Sequence, residues 1–232
     1  MSKDTKHSAS SNEIPALTGM KICGMKYNTQ EVAALQPDYL GFIFYEGSPR
    51  NFDGVIPILP EGTKKVGVFV DADIAFAKAN IIKHQLDVIQ LHGNESPEYI
   101  ENLQRFIIDS SEKFTEIWKV FSIKGTFDFK RLIPYKNLVS AFLFDTKGKE
   151  KGGNGYTFDW SVLKKYPYKK PFVLSGGIGL EEIENIKKIL DSELPILALD
   201  VNSKFEDSPG LKNIENLKNF TSQITSLLKR RD

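Results

Sequence analysis

The chain has 232 residues, of which 41% are hydrophobic, enough for a substantial core in one large domain or two small ones. Its 31 basic and 30 acidic side chains nearly cancel, so no global field recruits nucleic acid or a membrane surface. No apolar run approaches the ~18 residues needed to span a bilayer, and a single cysteine excludes an internal disulfide, which predicts a reducing cytosol as the compartment.

Residues 1–18 are polar and aperiodic, with many serines and lysines. They contain no apolar segment of the kind found in a secretory signal. We interpret them as a flexible tail that precedes a single folded domain over residues 19–232.

From Met20 onward, short apolar segments alternate with helical segments. The apolar segments are rich in Val, Ile and Phe, as buried parallel strands should be. The predicted strands are 21–23, 39–44, 65–70, 88–91, 117–121, 141–145, 172–175 and 196–200. The clearest predicted helices are 73–86, 96–106, 180–190 and 213–228. Ser96 before Pro97 and Asn213 are expected to be N-caps.

Eight such repeats predict an α/β fold, a single (β/α)8 TIM barrel with little decoration. A doubly wound open sheet is the alternative. That fold usually has a G-x-G-x-x-G turn directly after its first strand, and the Cys-Gly-Met-Lys segment at 23–26 does not match it.

Polar and ionisable residues follow most of the predicted strands. In a barrel, catalytic residues lie at the carboxyl ends of the strands. The residues at those ends are Cys23, the 45–50 segment with Arg50, Gln90 with His92, Asp145, Ser175 with Gly176 and Gly177, and Asp200 with Ser203. Their grouping predicts a functional rim.

Two of these residues carry proton-transfer chemistry. Cys23 ends an apolar run beside Gly24, which predicts a thiol that is exposed and aimed, although most lone cysteines are small buried hydrophobes. For Asp145 the alternative is a helix cap or a loop carboxylate.

Glycine-rich segments suggest where an anion binds. The Ser-Gly-Gly segment at 175–177, together with the turn after strand eight, would let backbone N–H groups cradle a phosphate. The loop at 151–155 is also glycine-rich, but it lacks the Gly-Lys-Ser/Thr ending of a P-loop. We interpret it as a mobile loop over the site.

An ordered set of motifs spans nearly the whole folded region. These are KICG (21–24), GFIFYEGSPR (41–50), VGVFVD (66–71), QLHG (90–93), FDT (144–146), GGNG with FDW (152–160), LSGG (174–177) and DVNS with PG (200–210). Each motif is weak alone, but the ordered set resembles the phosphoribosylanthranilate isomerase family of tryptophan biosynthesis.

The resemblance implies an Amadori rearrangement of N-(5′-phosphoribosyl)anthranilate to 1-(2-carboxyphenylamino)-1-deoxyribulose 5-phosphate. An acid protonates the furanose ring oxygen, and a base then removes the proton from C2′ of the iminium. By resemblance, the Cys23 thiolate is the general base and Asp145 the general acid. Nearby positive charge is expected to favour the thiolate, and burial against Phe144 is expected to keep Asp145 protonated.

The resemblance also implies how substrate binds. The residues expected to bind it are Arg50, Gln90, His92 and Asp200, and those expected to bind its phosphate are Gly176, Gly177 and Ser203. The Arg50 guanidinium suits the anthranilate carboxylate, although loop arginines are commonly solvated. His92 could equally be a hydrogen-bonded structural histidine.

The reaction needs no organic cofactor. No metal site is predicted, because the three histidines have no paired ligand spacing. The expected partner is the small phosphosugar–anthranilate substrate, with no nucleic acid and no membrane, in a cytoplasmic protein that is a monomer or a homodimer.

The match has departures. Lys204 stands where the family usually has a small residue, which bears on the geometry of the phosphate loop. Asn213 stands where Asp is frequent, and the two residues cap helices about equally well. His84, on a predicted helix, is expected to be a surface residue.

Three other functions are open on the same fold. The aminoaldose isomerase of the histidine pathway uses two aspartates, whereas Cys23 and Arg50 favour the anthranilate substrate. Indole-glycerol-phosphate synthase requires a lysine that acts as an acid at a strand end. No lysine of this sequence lies at a strand end among the residues expected for that role. A catalytically dead barrel that binds a phosphorylated ligand has no need of Cys23, Asp145 and Arg50 together.

Overall fold

A computed structural model describes residues 19–110, 114–146 and 160–229 of the chain. Eight parallel strands hydrogen-bond in sequence order and close into a barrel, which confirms the predicted TIM-barrel fold. The strands are β1 (Gly19–Cys23), β2 (Tyr39–Phe44), β3 (Lys64–Phe69), β4 (Val88–Leu91), β5 (Glu116–Ile123), β6 (Ala141–Thr146), β7 (Phe172–Ser175) and β8 (Ile196–Val201). Each predicted strand is present; three have the predicted extent, and the ends of the other five are shifted by one or two residues.

The helices follow the prediction less closely. The α-helices are α1 (Thr29–Ala33), α2 (Ile74–His84), α3 (Pro97–Ser110), α4 (Ile183–Leu190) and α5 (Ile214–Leu228). Short 3-10 helices span Phe129–Tyr135, Trp160–Lys165, Leu180–Glu182 and Ser203–Phe205, and a two-stranded ribbon joins β9 (Glu206–Ser208) to β10 (Leu211–Lys212). The connection from β2 to β3 contains no helix. Pro134 lies within the first 3-10 helix, where its missing N–H disfavours a longer α-helix.

The predicted caps of two helices are confirmed. Ser96 Oγ accepts a hydrogen bond from the Tyr99 N–H at 3.2 Å, and Asn213 Oδ1 accepts one from the Asn216 N–H at 2.9 Å. These caps fix the entry of α3 and α5 and satisfy N–H groups that the helices themselves leave unpaired.

The barrel wall separates two apolar cores. Inside the barrel, Tyr39 packs edge-on against Trp118 at 5.0 Å between ring centroids, and small aliphatic side chains fill the remaining space. Outside it, the opposite face of each strand packs against the helices. Because successive side chains of a strand point to opposite faces, the interior positions of each strand continue upward into the residues that line the mouth.

The expectation that His84 is a surface residue is wrong. It is 5% exposed, and its ring stacks on Phe44 at 5.1 Å and meets Phe52 edge-on at 6.2 Å. The helix periodicity could not reveal this, because the rings that cover His84 come from β2 and the segment after it.

Several sequence interpretations fall outside the described residues. These are the flexible tail at 1–18, the glycine-rich loop at 151–155 and most of the motif that follows it. Within the described ranges, no helix combines the length and apolarity that crossing a bilayer requires.

Candidate active site

Four polar residues are strand-register partners along one side of the mouth. Asp145 of β6 pairs with Ser175 of β7, Ser175 with Asp200 of β8, and Asp200 with Lys21 of β1. Partners in parallel strands face the same side of the sheet. The closed barrel therefore connects the predicted acid to the strand that carries Cys23 through two interior polar residues.

Cys23 ends β1, as predicted, but its thiol is buried rather than exposed. The residue is 5% exposed. Its register partner on β2 is Gly41, and a Cβ atom added there would lie 2.8 Å from the Cys23 sulfur. Any side chain larger than hydrogen at position 41 would therefore displace the thiol.

Lys21 lies two residues before Cys23 on the same face of β1 and is completely buried. Its Nζ donates to Asp200 Oδ1 at 2.8 Å. The second carboxylate oxygen of Asp200 accepts a hydrogen bond from Ser175 Oγ at 3.0 Å. Asp200 thus binds two side chains of the barrel wall. It has this structural role in addition to its predicted role in binding substrate.

The surroundings of Cys23 act on its pKa in both directions. Burial raises the pKa of the thiol and Asp200 adds to the rise, whereas Lys21 and Lys212 lower it, and the net result is a pKa above the usual value. Burial alone would lower the pKa of Lys21, but Asp200 and Cys23 outweigh it and raise that pKa. The expected positive charge is present, but it only partly offsets the burial of the thiol.

Asp145 lies near the carboxyl end of β6, close to His92. His92 Nε2 lies 3.5 Å from Asp145 Oδ2, and Nδ1 lies 3.3 Å from Gln90 Nε2. The buried Gln90 Oε1 has no hydrogen-bond partner among the described residues, as befits a group that meets a ligand. The structure thus brings Gln90, His92 and Asp145 together as one group.

Asp145 is largely buried, with 13% of its side chain exposed, but the expected contact with Phe144 is wrong. Phe144 packs outside the barrel against Phe172 and Tyr166, at 5.0 and 5.6 Å between ring centroids. Adjacent strand residues point to opposite faces, so Asp145 faces the interior above Leu143.

Arg50 reaches the mouth from the segment after β2 and pairs with Glu206. Its Nε lies 2.9 Å from both carboxylate oxygens, and Nη2 lies 2.5 Å from Oε2. These hydrogen bonds raise the pKa of Arg50. Glu206 Oε1 also accepts from Lys212 Nζ at 2.7 Å and from the Gly210 N–H at 3.1 Å. Burial alone would raise the pKa of Glu206, but Arg50 and Lys212 outweigh it and lower that pKa.

The predicted phosphate residues lie on the turns after β7 and β8. Gly176 has φ +97°, and a Cβ there would lie 2.1 Å from the Thr146 carbonyl oxygen. Gly177 has φ +66°, with no heavy atom within 4 Å of a Cβ, so its side faces open space. Ser203 begins a 3-10 helix, and Lys204 Nζ lies 2.6 Å from Glu181 Oε1 across the two turns. This exposed pair accommodates the departure at Lys204.

Sequence reasoning missed three charged residues of the site. Lys21, Glu206 and Lys212 are all buried or nearly so and contact predicted residues. A signal existed for Lys21, because a lysine inside a short apolar strand, two residues before Cys23, is unusual unless it is paired. The sequence around Glu206 and Lys212 carries no comparable pattern.

The close approach of Gly41 to Cys23 predicts that Gly41→Ala is costly. The new methyl would press on the sulfur and on the Cys23 Cα, which lies 3.1 Å away, and we expect a loss of about 1–3 kcal/mol of stability. Urea denaturation measures the stability, and the rate of Cys23 alkylation reports the displaced thiol. Gly54→Ala is the matched control, because its methyl would meet only Phe52 at 3.4 Å. Wild-type stability and alkylation in Gly41→Ala would contradict the prediction.

Comparisons with known proteins agree with this geometry. The sequence model of the family described as N-(5′phosphoribosyl)anthranilate (PRA) isomerase matches residues 20–223. An N-(5′-phosphoribosyl)anthranilate isomerase from Parabacteroides distasonis is 42% identical over 214 residues, which cover 88% of this chain and 92% of that protein.

Solved structures give the same result. Phosphoribosyl anthranilate isomerase from Thermotoga maritima has a TM-score of 0.72 and 29% identity, over 89% of this chain and 98% of that chain. A phosphoribosyl anthranilate isomerase in complex with reduced 1-(o-carboxyphenylamino)-1-deoxyribulose 5-phosphate has a TM-score of 0.70 and 25% identity, with the same coverage. Sequence and fold therefore agree, and the chain belongs to the N-(5′-phosphoribosyl)anthranilate isomerase family.

Proposed function

We propose that this protein converts N-(5′-phosphoribosyl)anthranilate to 1-(2-carboxyphenylamino)-1-deoxyribulose 5-phosphate, with Cys23 as general base and Asp145 as general acid. The observation that carries the proposal is the position of these residues at the carboxyl ends of β1 and β6. Counted around the closed barrel, these two strands are three apart, so both residues line the same mouth. A sugar in the mouth would then lie between two proton-transfer groups. Fluorescence turnover of phosphoribosylanthranilate generated in situ tests the activity directly.

Asp145 and Cys23 each carry out one proton transfer, and ketonisation of the product enol follows. Asp145 gives a proton to the furanose ring oxygen, the C1′–O bond breaks, and the anthranilate nitrogen becomes an iminium. The Cys23 thiolate then takes the C2′ proton, and the electron pair moves into C1′–C2′ to neutralise the iminium. The resulting enol becomes the ketose when C1′ takes up a proton and the C2′ hydroxyl loses one. His92 contacts Asp145 and can hold its carboxyl group toward the sugar.

Arg50 is suited to hold the anthranilate carboxylate while Glu206 holds Arg50. A guanidinium has five N–H donors, and Glu206 uses those on Nε and one on Nη2. The edge formed by Nη1 and the second Nη2–H is a further two-donor edge for a carboxylate. Glu206 is itself fixed by Lys212 and Gly210, so Arg50 is oriented before substrate arrives.

The opposite end of the substrate carries the phosphate. The open side of Gly177 and the nearby turn at Ser203 support a phosphate bound mainly by backbone N–H groups. Lys204 is tied to Glu181, so its charge is partly neutralised at the edge of that position. Binding at both ends would set C2′ against Cys23 and the ring oxygen against Asp145.

The small phosphosugar–anthranilate substrate is the partner that this proposal requires. One solved Thermotoga maritima relative is described as dimeric. For this chain, a monomer or a homodimer and a cytoplasmic location stay predictions.

Cys23→Ala and Asp145→Asn should each lower the maximal rate about 10²-fold or more, because each removes a proton-transfer group. Burial holds the pKa of Cys23 above its usual value, so the limb of the wild-type pH–rate profile that rises with thiolate formation should lie at higher pH than the titration of a free cysteine thiol. Turnover measured across pH tests both statements. Near-wild-type turnover in either folded variant would remove that residue from the mechanism.

Arg50→Ala should lower kcat/KM about tenfold or more, because a charge-assisted hydrogen bond contributes roughly 1.5–3 kcal/mol. Arg50→Lys should fall between, since an ammonium is a point charge. The deciding measurement uses an aniline analogue that lacks the carboxylate, with which Arg50→Ala should match wild type. A defect of equal size on both substrates would show that Arg50 shapes the segment after β2 instead.

Gly177→Val should raise KM strongly, because a β-branched residue at φ +66° is strained and its bulk fills the open space. Ser203→Ala should have a mild effect, since backbone groups carry most of the contact. Steady-state kinetics, with inorganic phosphate as a competitor, measures both. A severe Ser203→Ala defect beside a mild Gly177→Val defect would place the phosphate elsewhere.

A further inference from the structure

Lys21 is a buried charged residue that the mechanism above leaves without a role. It is 0% exposed and lies one strand repeat deeper in the barrel than Cys23, on the same face of β1. Lysine is almost never completely buried unless it is paired. Here the pair is with Asp200 at 2.8 Å, and the charge of Lys21 also acts on the Cys23 thiol, two residues along the same face of β1.

The charged side chains around Cys23 carry one more positive than negative charge. The cations are Lys21, Lys212 on β10 and Arg50 after β2. The carboxylates are Asp200 on β8 and Glu206, which pairs with both Arg50 and Lys212. A thiolate at Cys23 completes the balance, and Lys21 is the cation that acts on it most strongly, from the same face of the same strand.

We infer that Lys21 is a positioning residue of the isomerisation, whose ammonium group holds the Cys23 sulfur and supplies the positive charge opposite its thiolate. Asp200 accepts a hydrogen bond from the ammonium and is itself held by Ser175, so the position of the ammonium does not depend on substrate. The inference deepens the proposed role of Cys23 as base and rests on that role.

Lys21 is completely buried and lies one strand repeat below Cys23, so we expect it to act through Cys23 rather than by touching substrate. Its loss should therefore act on the chemical step rather than on binding. In the same surroundings, burial and Asp200 oppose thiolate formation, so removal of Lys21 leaves them largely unopposed.

The test uses iodoacetamide alkylation of Cys23, the only cysteine in the chain, as a function of pH. The midpoint of the rate profile reports thiolate formation, and limited access to the sulfur lowers all rates equally without moving it. Lys21→Met should raise the midpoint by about one pH unit or more, which is tenfold slower alkylation below the midpoint. An unchanged or lowered midpoint would overturn the inference.

Lys64→Met is the matched control. Lys64 also pairs with a carboxylate, Glu116, at 2.8 Å, but at the amino end of β3. The alkylation midpoint of Lys64→Met should equal that of wild type. A shift like that of Lys21→Met would show a general effect of charge and would overturn the inference.

A second variant covers the case in which Lys21→Met does not fold because Asp200 is left buried and unpaired. Lys21→Met/Asp200→Asn removes both charges, and Asn can keep the contact with Ser175. Lys21 acts on Cys23 more strongly than Asp200 does, so the midpoint should still rise, by less than in the single variant. A midpoint at or below that of wild type would overturn the inference.

Turnover separates positioning from a structural role. Lys21→Met should lower kcat at least tenfold with little change in KM, whereas a raised KM at unchanged kcat would contradict the inference. The alkylation profile needs no substrate. A failure of the proposed function would appear as an inactive wild type, and a failure of the inference as an unmoved midpoint.

Discussion

The pairing of β8 with β1 is the constraint on which the rest of the site depends. It closes the barrel and joins Lys21 to Asp200, which are 179 positions apart in the chain. Without closure, both charges would face water or an open sheet edge. With it, they form a buried pair that seals the mouth from below and fixes the end of β1.

Buried charges are expensive, and this site contains several. Taking an ion from water costs several kcal/mol unless a partner and further hydrogen bonds compensate. The described charges near Cys23 are accordingly linked in two groups, Lys21 with Asp200, and Arg50 with Glu206 and Lys212. Their slight excess of positive charge suits the proposed thiolate base and a substrate with a carboxylate and a phosphate. The desolvation cost of these buried charges would therefore serve the proposed reaction.

Close packing holds these groups in place. The interior core of small aliphatic residues, Tyr39 and Trp118 fills the barrel under the mouth, so the strand ends cannot move inward. Gly41 makes room for the Cys23 sulfur, and Gly176 makes room for the end of β6. Small residues at two contacts thus set the positions of Cys23 and of the turn after β7, and the proposed proton transfer would require such preorganisation.

The sequence by itself determined the eight strands, the closed fold and the rim positions of Cys23 and Asp145, because strand period and the order of elements are local patterns. It also determined the caps at Ser96 and Asn213. Only the tertiary structure decided that Cys23 is buried, that Phe144 faces away from Asp145, that His84 is enclosed by rings, and that Arg50 is held by Glu206. These facts depend on partners far away in the chain, since burial and ion pairing are set by which elements the closed barrel brings together.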